Sequence, residues 1–181
     1  MASSNNILNG IFRVLFLALT CLKTVSSGAQ PMPTVIKTQA LDMVRAVAAR
    51  DAEKLAIYLP PKLVRDAGGM QGLLTARDTV NKYMKQFGAE IKQIVVGNPG
   101  KIISYKKTLQ TTLPQTTVVR LMAGTATLES TLVAISEDQG IHWYFVDTSI
   151  YHGKKMTDAL PELSPELAVP PMKPPVFKAD P

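Results

Sequence analysis

A short turn-forming sequence between two strand-like runs is the strongest local signal in this chain. An Asp-Gln-Gly turn separates the run 131–135 from the run 141–146, and both runs are rich in β-branched or aromatic residues. Gly140 can adopt the positive φ that a tight turn needs, and the Asp138 carboxylate can accept hydrogen bonds from nearby backbone N–H groups. We therefore predict a β-hairpin at this point, with Trp143 buried over it.

The residues of this turn also match a known local motif. The spacing Ser-x-Asp-x-Gly-x-x-Trp, from Ser136 to Trp143, resembles the Asp-box of sialidases and other β proteins. The resemblance implies that Ser136 and Asp138 organise the turn and that Trp143 packs over it. Propellers with this motif carry several copies and this chain has one, so we interpret it as one well-made hairpin.

The spacing of apolar residues changes from a helical to a strand-like period near residue 90. Upstream, apolar side chains recur at helical spacing over 34–50 and 75–87, with a shorter stretch over 51–59. Downstream, apolar and polar residues alternate, which is typical of an antiparallel sheet with one buried face. Helices followed by an antiparallel meander, without βαβ alternation, predict an α+β fold.

Particular residues set the predicted helix boundaries. Asp51 is suited to cap the N-terminus of the second helix, and the proline pair at 60–61 is expected to end it. The segment 62–72 is then predicted to be irregular. Thr75 and Asp78 form a capping-box-like start for the third helix.

The sheet region contains one predicted interruption. Pro114 and Gln115 are expected to separate a strand over 102–113 from a strand over 117–122, because proline cannot donate to a strand ladder. The strand that follows the hairpin is predicted over 141–148.

Residues 1–29 have the layout of a secretory signal peptide. Arg13 precedes the short apolar run 14–22, and the small residues Ser-Gly-Ala follow at 27–29. The apolar run is too short to span a membrane comfortably. We predict cleavage after Ala29, a periplasmic or secreted bacterial protein, and no membrane span after cleavage.

Two other interpretations of the leader remain open. It can stay attached as an N-terminal anchor, or Cys21 can become a lipid-modified N-terminus. Thr20 stands where a bacterial lipoprotein signal has Gly or Ala, so the second option fits the sequence poorly.

Composition excludes several kinds of site. Cys21 is the only cysteine, so the mature chain can form no disulfide, thiolate metal site or cysteine nucleophile. The chain carries a formal net charge of +6, but its basic residues are scattered rather than clustered with aromatics, and we expect no nucleic-acid partner. His142 and His152 have no third ligand at workable spacing. We expect no metal ion and no cofactor.

The C-terminal segment 154–181 differs in composition from the rest. Seven prolines lie in this tail, at positions 161, 165, 170, 171, 174, 175 and 181. Such a sequence favours extended polyproline II structure. The predicted organisation is therefore a leader at 1–29, a domain at 30–153 and this tail, which is expected to lie over the domain, to be disordered or to act as a docking peptide.

The order of elements resembles the nuclear-transport-factor-2-like superfamily over about residues 34–149. The most specific feature is the terminal strand, in which Gly140 precedes the sequence Trp-Tyr-Phe-Val-Asp at 143–147. The resemblance implies N-terminal helices packed on a curved antiparallel sheet that forms a cone with a pocket. The superfamily includes isomerases, dehydratases and envelope proteins of unknown role, so the fold does not define the function.

A cone of this kind suggests which side chains would line its interior. The candidates are the aromatic and methionine side chains Tyr83, Met84, Phe87, Tyr105, Trp143 and Phe145. A mainly apolar lining with a few hydroxyls is typical of a binding cavity. Asp147 is the weak candidate for catalysis, with Glu129 next, but we expect Asp147 to end its strand and to bind backbone N–H groups.

These observations lead to two functional hypotheses. The first is an exported, non-enzymatic domain of the bacterial cell envelope that binds an apolar small ligand or an envelope protein, with homodimerisation as a further option. The alternative is a pocket enzyme of the isomerase or dehydratase type that uses a buried carboxylate.

Overall fold

Helices followed by an antiparallel sheet make up the part of the chain that the computed structural model describes, residues 30–150 and 156–180. The helices are α1 (Met32–Ala49), α2 (Ala52–Ile57), α3 (Pro61–Asp66), α4 (Gly69–Gln86) and the short α5 (Met156–Ala159). The strands are β1 (Glu90–Val96), β2 (Ile103–Tyr105), β3 (Thr108–Leu121), β4 (Gly124–Ser136), β5 (Tyr144–Asp147) and β6 (Val176–Ala179), and a 3-10 turn follows β5 at Thr148–Ile150. The predicted leader, Cys21 and His152 lie outside the described residues.

The sheet is built around the long hairpin of β3 and β4. The strand order is β1-β3-β4-β5, all antiparallel, with β2 also paired to β3 and β6 also paired to β4. A register shift between Ile91 and Gln93 adds a bulge to β1, and bulges bend and twist a strand. The sheet curls into a half-barrel with the helices on it, so the predicted α+β fold is confirmed.

The core lies between α1 and one face of the sheet. From α1, the buried residues Ile36, Ala40 and Met43 supply an apolar stripe at helical spacing. They pack against buried strand residues that include Leu113 and Leu132. The Lys37 ammonium also donates to the carbonyl oxygens of Val96 and Gly97, which ties α1 to the end of β1.

The junction of α1 and α2 follows the prediction. Arg50 ends α1 with a left-handed backbone conformation, φ 56°. Asp51 then caps α2, because its Oδ1 accepts the Lys54 backbone N–H at 3.0 Å.

The segment predicted to be irregular is largely helical. Helix α2 ends at Ile57, before the two prolines. Pro60 is the N-cap residue of α3, and Pro61 occupies the first position of that helix, where a missing N–H costs no helical hydrogen bond. Helix α4 begins at Gly69 rather than Thr75, because Gly68 and Gly69, at φ 90° and 70°, turn the chain sharply before it. The Thr75 hydroxyl donates to the Gln71 carbonyl at 3.0 Å, as interior helical threonines do, so the predicted capping box is wrong.

Pro114 lies inside β3 instead of interrupting it. The ladder with β2 ends at Gln110 and the ladder with β1 begins at Gln115, so Pro114 falls between them. Its carbonyl accepts the Gly97 N–H at 2.7 Å on that side. The N and C=O of a strand residue point to the same edge, so the missing donor faces this gap and removes no bond with β4.

The tail lies over the second face of the sheet. Gln110 is fully buried there, and its amide donates to the Glu162 carbonyl at 2.8 Å and accepts the Ser164 N–H at 2.8 Å. Further along, β6 adds to the free edge of β4 through four residue pairs, Gly124–Thr127 with Ala179–Val176. Of the three options for the tail, the one in which it lies over the domain is what the described residues show.

Candidate functional site

The predicted hairpin turn is held by side-chain hydrogen bonds within the motif. The Ser136 hydroxyl donates to Asp138 Oδ1 and accepts the Gly140 N–H, both at 2.8 Å. Asp138 accepts the His142 N–H at 2.9 Å, and Gly140 has φ 94°. The backbone N–H of His142, together with the Ser136 hydroxyl, holds the pKa of Asp138 below its usual value.

Trp143 closes this turn and belongs to the core. Its side chain is fully buried, and its indole N–H donates to the Gly140 carbonyl at 3.0 Å. The burial and covering role predicted for Trp143 are therefore confirmed. The predicted strand after it is shorter than expected, since β5 begins only at Tyr144.

Helix α1 clamps the hairpin through a residue that the sequence reasoning missed. The Gln39 side chain donates to the Ile141 carbonyl and accepts the Trp143 N–H, both at 2.8 Å. Gln39 adjoins the buried Ala40 in α1, and a polar residue at the edge of an apolar stripe was the signal that could have identified it.

An aromatic cluster attaches the hairpin to α2. The His142 ring stacks on Tyr58 with centroids 6.0 Å apart and meets Tyr144 edge-on at 4.8 Å. His142 Nε2 lies 2.9 Å from the Ile57 carbonyl, and since a carbonyl only accepts, Nε2 carries the hydrogen. Burial raises the pKa of Tyr58 and Tyr144, so both phenols stay protonated at neutral pH.

The six predicted pocket residues differ in burial. Trp143 and Phe145 are fully buried in the core beneath α1. Tyr83 and Phe87 are more than half exposed at the C-terminal end of α4, which packs against α2 and α3. The remaining two, Met84 on α4 and Tyr105 on β2, are half-buried. Tyr105 instead has the Lys106 ammonium 5.5 Å above its ring.

Helix α4 carries an exposed apolar stripe. Ala76, Val80, Tyr83 and Phe87 recur at spacings of four, three and four residues and are all exposed. The exposed fractions of the three larger side chains are 57%, 55% and 59%. We call these four residues the α4 stripe. Half-buried residues on another side of the helix, Leu73, Leu74, Arg77, Asn81 and Met84, are those placed to meet the rest of the protein.

The α4 stripe continues onto the turn between β3 and β4. Met122 in that turn is 79% exposed. It lies against Gly88, where an added Cβ would come within 2.7 Å of the Met122 side chain. Gly88 directly follows Phe87, so apolar surface extends beyond the end of the helix. Lys82 and Lys85 are also exposed, on the side of the helix that faces away from the stripe.

Asp147, the candidate catalytic acid, uses both carboxylate oxygens structurally. Oδ2 accepts the Gln115 amide at 2.6 Å, and Oδ1 accepts the Ser149 backbone N–H at 2.8 Å. Asp147 is the last residue of β5. The second acid considered, Glu129, is exposed and pairs with Lys173 at 2.8 Å.

Two kinds of feature are absent from the described residues. No group of three His, Cys, Asp or Glu side chains there is arranged to hold a metal ion. No helix among residues 30–150 and 156–180 is both long and apolar enough to cross a membrane.

Comparison with other proteins gives no relative. The chain matches no protein-family model, no curated protein and no solved structure. The resemblance to the nuclear-transport-factor-2-like superfamily therefore remains a prediction from the sequence.

Proposed function

We propose that this protein is an exported, non-enzymatic domain of the bacterial cell envelope that binds a partner protein through the α4 stripe. The observation that carries the proposal is the exposure of Val80, Tyr83 and Phe87 along one line of a single helix. Export is inferred from the leader sequence. The partner is an amphipathic helix that packs its apolar face on the stripe.

A protein partner fits this surface better than a small ligand does. Small-molecule sites are concave and enclose most of the ligand. The α4 stripe lies on the outside of a helix, and its side chains project from a convex surface. Trp143 and Phe145, which were expected to line a cavity, are instead packed beneath α1.

The spacing of the α4 stripe indicates what kind of element covers it. Residues four, three and four apart form the seam that a second helix packs against in a coiled coil. Thr79 and Gln86, which border the stripe, are uncharged, so they favour neither acidic nor basic residues on a partner. Lys82 and Lys85 lie on the side of the helix that faces away from the stripe, so they would not contact such a partner.

The size of the stripe sets the expected affinity. Two half-exposed aromatic side chains and a valine offer roughly 300 Å² of apolar surface. A stable interface of standard size buries about 800 Å² on each partner. We therefore expect a weak or transient contact unless the partner also covers Met122 and its neighbours.

Site-specific photo-crosslinking in the native host tests this proposal. A photoreactive amino acid at position 80 should give a discrete adduct with one other protein. The same amino acid at position 82 is a matched control, because helical residues two positions apart differ by about 200° around the axis. It should give little or none of this adduct.

Three outcomes would contradict the proposal. Equal adduct formation at positions 80 and 82 would show that α4 has no specific docking face. The absence of any adduct at position 80 in correctly exported protein would show that the stripe is unoccupied. An adduct between two copies of this chain would show that the stripe binds a second copy of the chain and not a different protein.

A further inference from the structure

The edge of β4 is occupied by two different strands. Strand β5 pairs with residues 132–135 of β4, and β6 pairs with residues 124–127 on the same edge. Strand β3 covers the opposite edge along its full length. The tail therefore fills a length of open edge that β5 leaves uncovered.

The contacts that hold β6 are specific and mostly polar. The guanidinium of Arg120 donates to both carboxylate oxygens of Asp180, at 2.6 and 2.5 Å. The Asp180 N–H donates to the Ala123 carbonyl at 3.2 Å. A Cβ at Gly124 would lie 2.2 Å from the Lys178 carbonyl oxygen, so only glycine admits β6 at this distance. A two-pronged ion pair and a close backbone approach fix the register of the strand.

Strand β6 contributes almost nothing to the core. All four of its residues are exposed, with Val176 at 68% and Phe177 at 53%. Its ion pairs lie at the surface, where such pairs stabilise weakly. A strand bound by backbone hydrogen bonds, with specific ends and little apolar burial, has the character of a bound peptide rather than a core strand.

The connection that leads to β6 is extended and long enough to reach another molecule. Ser164 is fixed to the domain by its bond to Gln110. The residues between Ser164 and Val176 include the prolines at 165, 170, 171, 174 and 175. Proline-rich segments act as semi-rigid spacers that extend about 3.1 Å per residue, so this segment can span roughly 30 Å.

We propose that β6 is exchanged between two copies of this chain, with the tail of each copy added to the β4 edge of the other. The bonds that anchor residues 173–180 are all made to residues 120–129 of the domain, which the proline-rich connection separates from them along the chain. The same bonds form when those residues belong to a second copy, which is the basis of strand exchange. A second copy is the natural occupant because its tail has a carboxylate for Arg120 and a backbone that fits Gly124.

Mixed disulfide formation tests this exchange. Thr127 and Val176 are opposite each other in the ladder, and opposite Cα atoms at 4.5–5.5 Å lie within disulfide range. Two full-length proteins are prepared, one with Thr127→Cys and the other with Val176→Cys, and both carry Cys21→Ser. We expect a disulfide-linked heterodimer after mixing and mild oxidation. Its yield should be at least tenfold higher than the yield of disulfide-linked homodimer that either protein forms alone. Adding Gly124→Val to the Thr127→Cys protein should abolish it.

Two controls keep the result decisive. Glu137→Cys in place of Thr127→Cys provides an exposed thiol away from β6, and its yield with Val176→Cys measures random collision. Thr127→Cys combined with Val176→Cys in one chain shows that the ladder geometry permits a bond.

Closure of that double variant only within single chains, without mixed dimer above the collision level, would overturn the exchange. Failure of the double variant to close within or between chains would also overturn it, because β6 would then not occupy the β4 edge.

Discussion

The side chain of Gln39 accepts the backbone N–H of Trp143 at 2.8 Å. This bond joins α1 to the β4–β5 hairpin across 104 positions of the chain. The same amide group donates to the Ile141 carbonyl at 2.8 Å, so one side chain satisfies two backbone groups on either side of His142. Trp143 can then remain fully buried without an orphaned backbone donor.

Substitution of Gln39 should therefore destabilise the fold through the hairpin. Gln39→Ala should lower the free energy of unfolding by about 1–3 kcal/mol, because a Trp143 N–H left unpaired pays its desolvation cost. Chemical denaturation measures the change. Gln86→Ala, at an exposed position on α4, is the matched control and should stay within about 0.5 kcal/mol of wild type. Equal effects of the two substitutions would contradict the clamp.

Truncation of Trp143 should be the more damaging change in the hairpin. Trp143→Ala should cost about 3–5 kcal/mol, as removal of large buried aromatics does. Asp138→Ala removes a carboxylate that accepts a backbone N–H and should cost about 1 kcal/mol. Urea titrations of both variants give the comparison, and wild-type stability for Trp143→Ala would refute the role of this side chain in the core.

Acid sensitivity should depend on Asp138. The folded-state pKa of Asp138 lies below its usual value of 3.8, chiefly because the carboxylate accepts the His142 N–H. A carboxyl group with a lowered folded pKa stabilises the fold above its unfolded pKa, and this contribution is lost as pH falls through the folded value. Between pH 5 and pH 2, Asp138→Asn should therefore lose less stability than wild type, as measured by thermal melts.

A neighbouring carboxyl group provides the control for this pH series. Glu137→Gln removes an exposed acid one residue away and should leave the acid dependence close to that of wild type. If Asp138→Asn and wild type lose stability in parallel over the whole range, the hydrogen bonds to Asp138 do not stabilise the fold.

Asp147 should affect stability more than function. Asp147→Asn replaces one of two accepting oxygens by an NH2 group, which opposes either the Gln115 amide or the Ser149 N–H. A loss of about 1–3 kcal/mol is expected, while a complementation assay in the native host should show an unchanged phenotype. A folded Asp147→Asn protein without activity in that assay would favour the alternative hypothesis of a pocket enzyme.

Local sequence signals predicted the parts of the fold that local chemistry determines. The cap at Asp51 and the Ser136–Trp143 hairpin depend on bonds between residues a few positions apart. Helix α1 carries a regular apolar stripe because one side of it faces the core. These elements were identifiable because their cause lies within a short stretch of sequence.

The errors occurred where distant residues decide the outcome. Pro114 is tolerated in β3 because the strands on its donor side leave a gap, which no local pattern shows. Pro61 is the exception, because the cause there is local: it starts a helix instead of preventing one, since the first helical position needs no donor. The strand character of 176–179 depends on the open edge of β4, far away in sequence.

The candidate site shows the same limit. Tyr83 and Phe87 were identified as functional candidates from their residue types and helical spacing. Their exposure depends on how α4 packs against α2 and α3, and α3 was not predicted. The sequence therefore indicated the side chains but not their exposure.

Photo-crosslinking from position 80 in a protein that also carries Tyr83→Ala and Phe87→Ala tests the role of the α4 stripe most directly. Both side chains are more than half exposed, so the free energy of unfolding should change by less than about 1 kcal/mol. The adduct yield should be at least tenfold lower than in the protein that retains Tyr83 and Phe87, because the partner helix loses its two aromatic contacts. An undiminished adduct in a folded double variant would contradict the proposed docking surface, and a loss of several kcal/mol of stability would show that the stripe belongs to the fold.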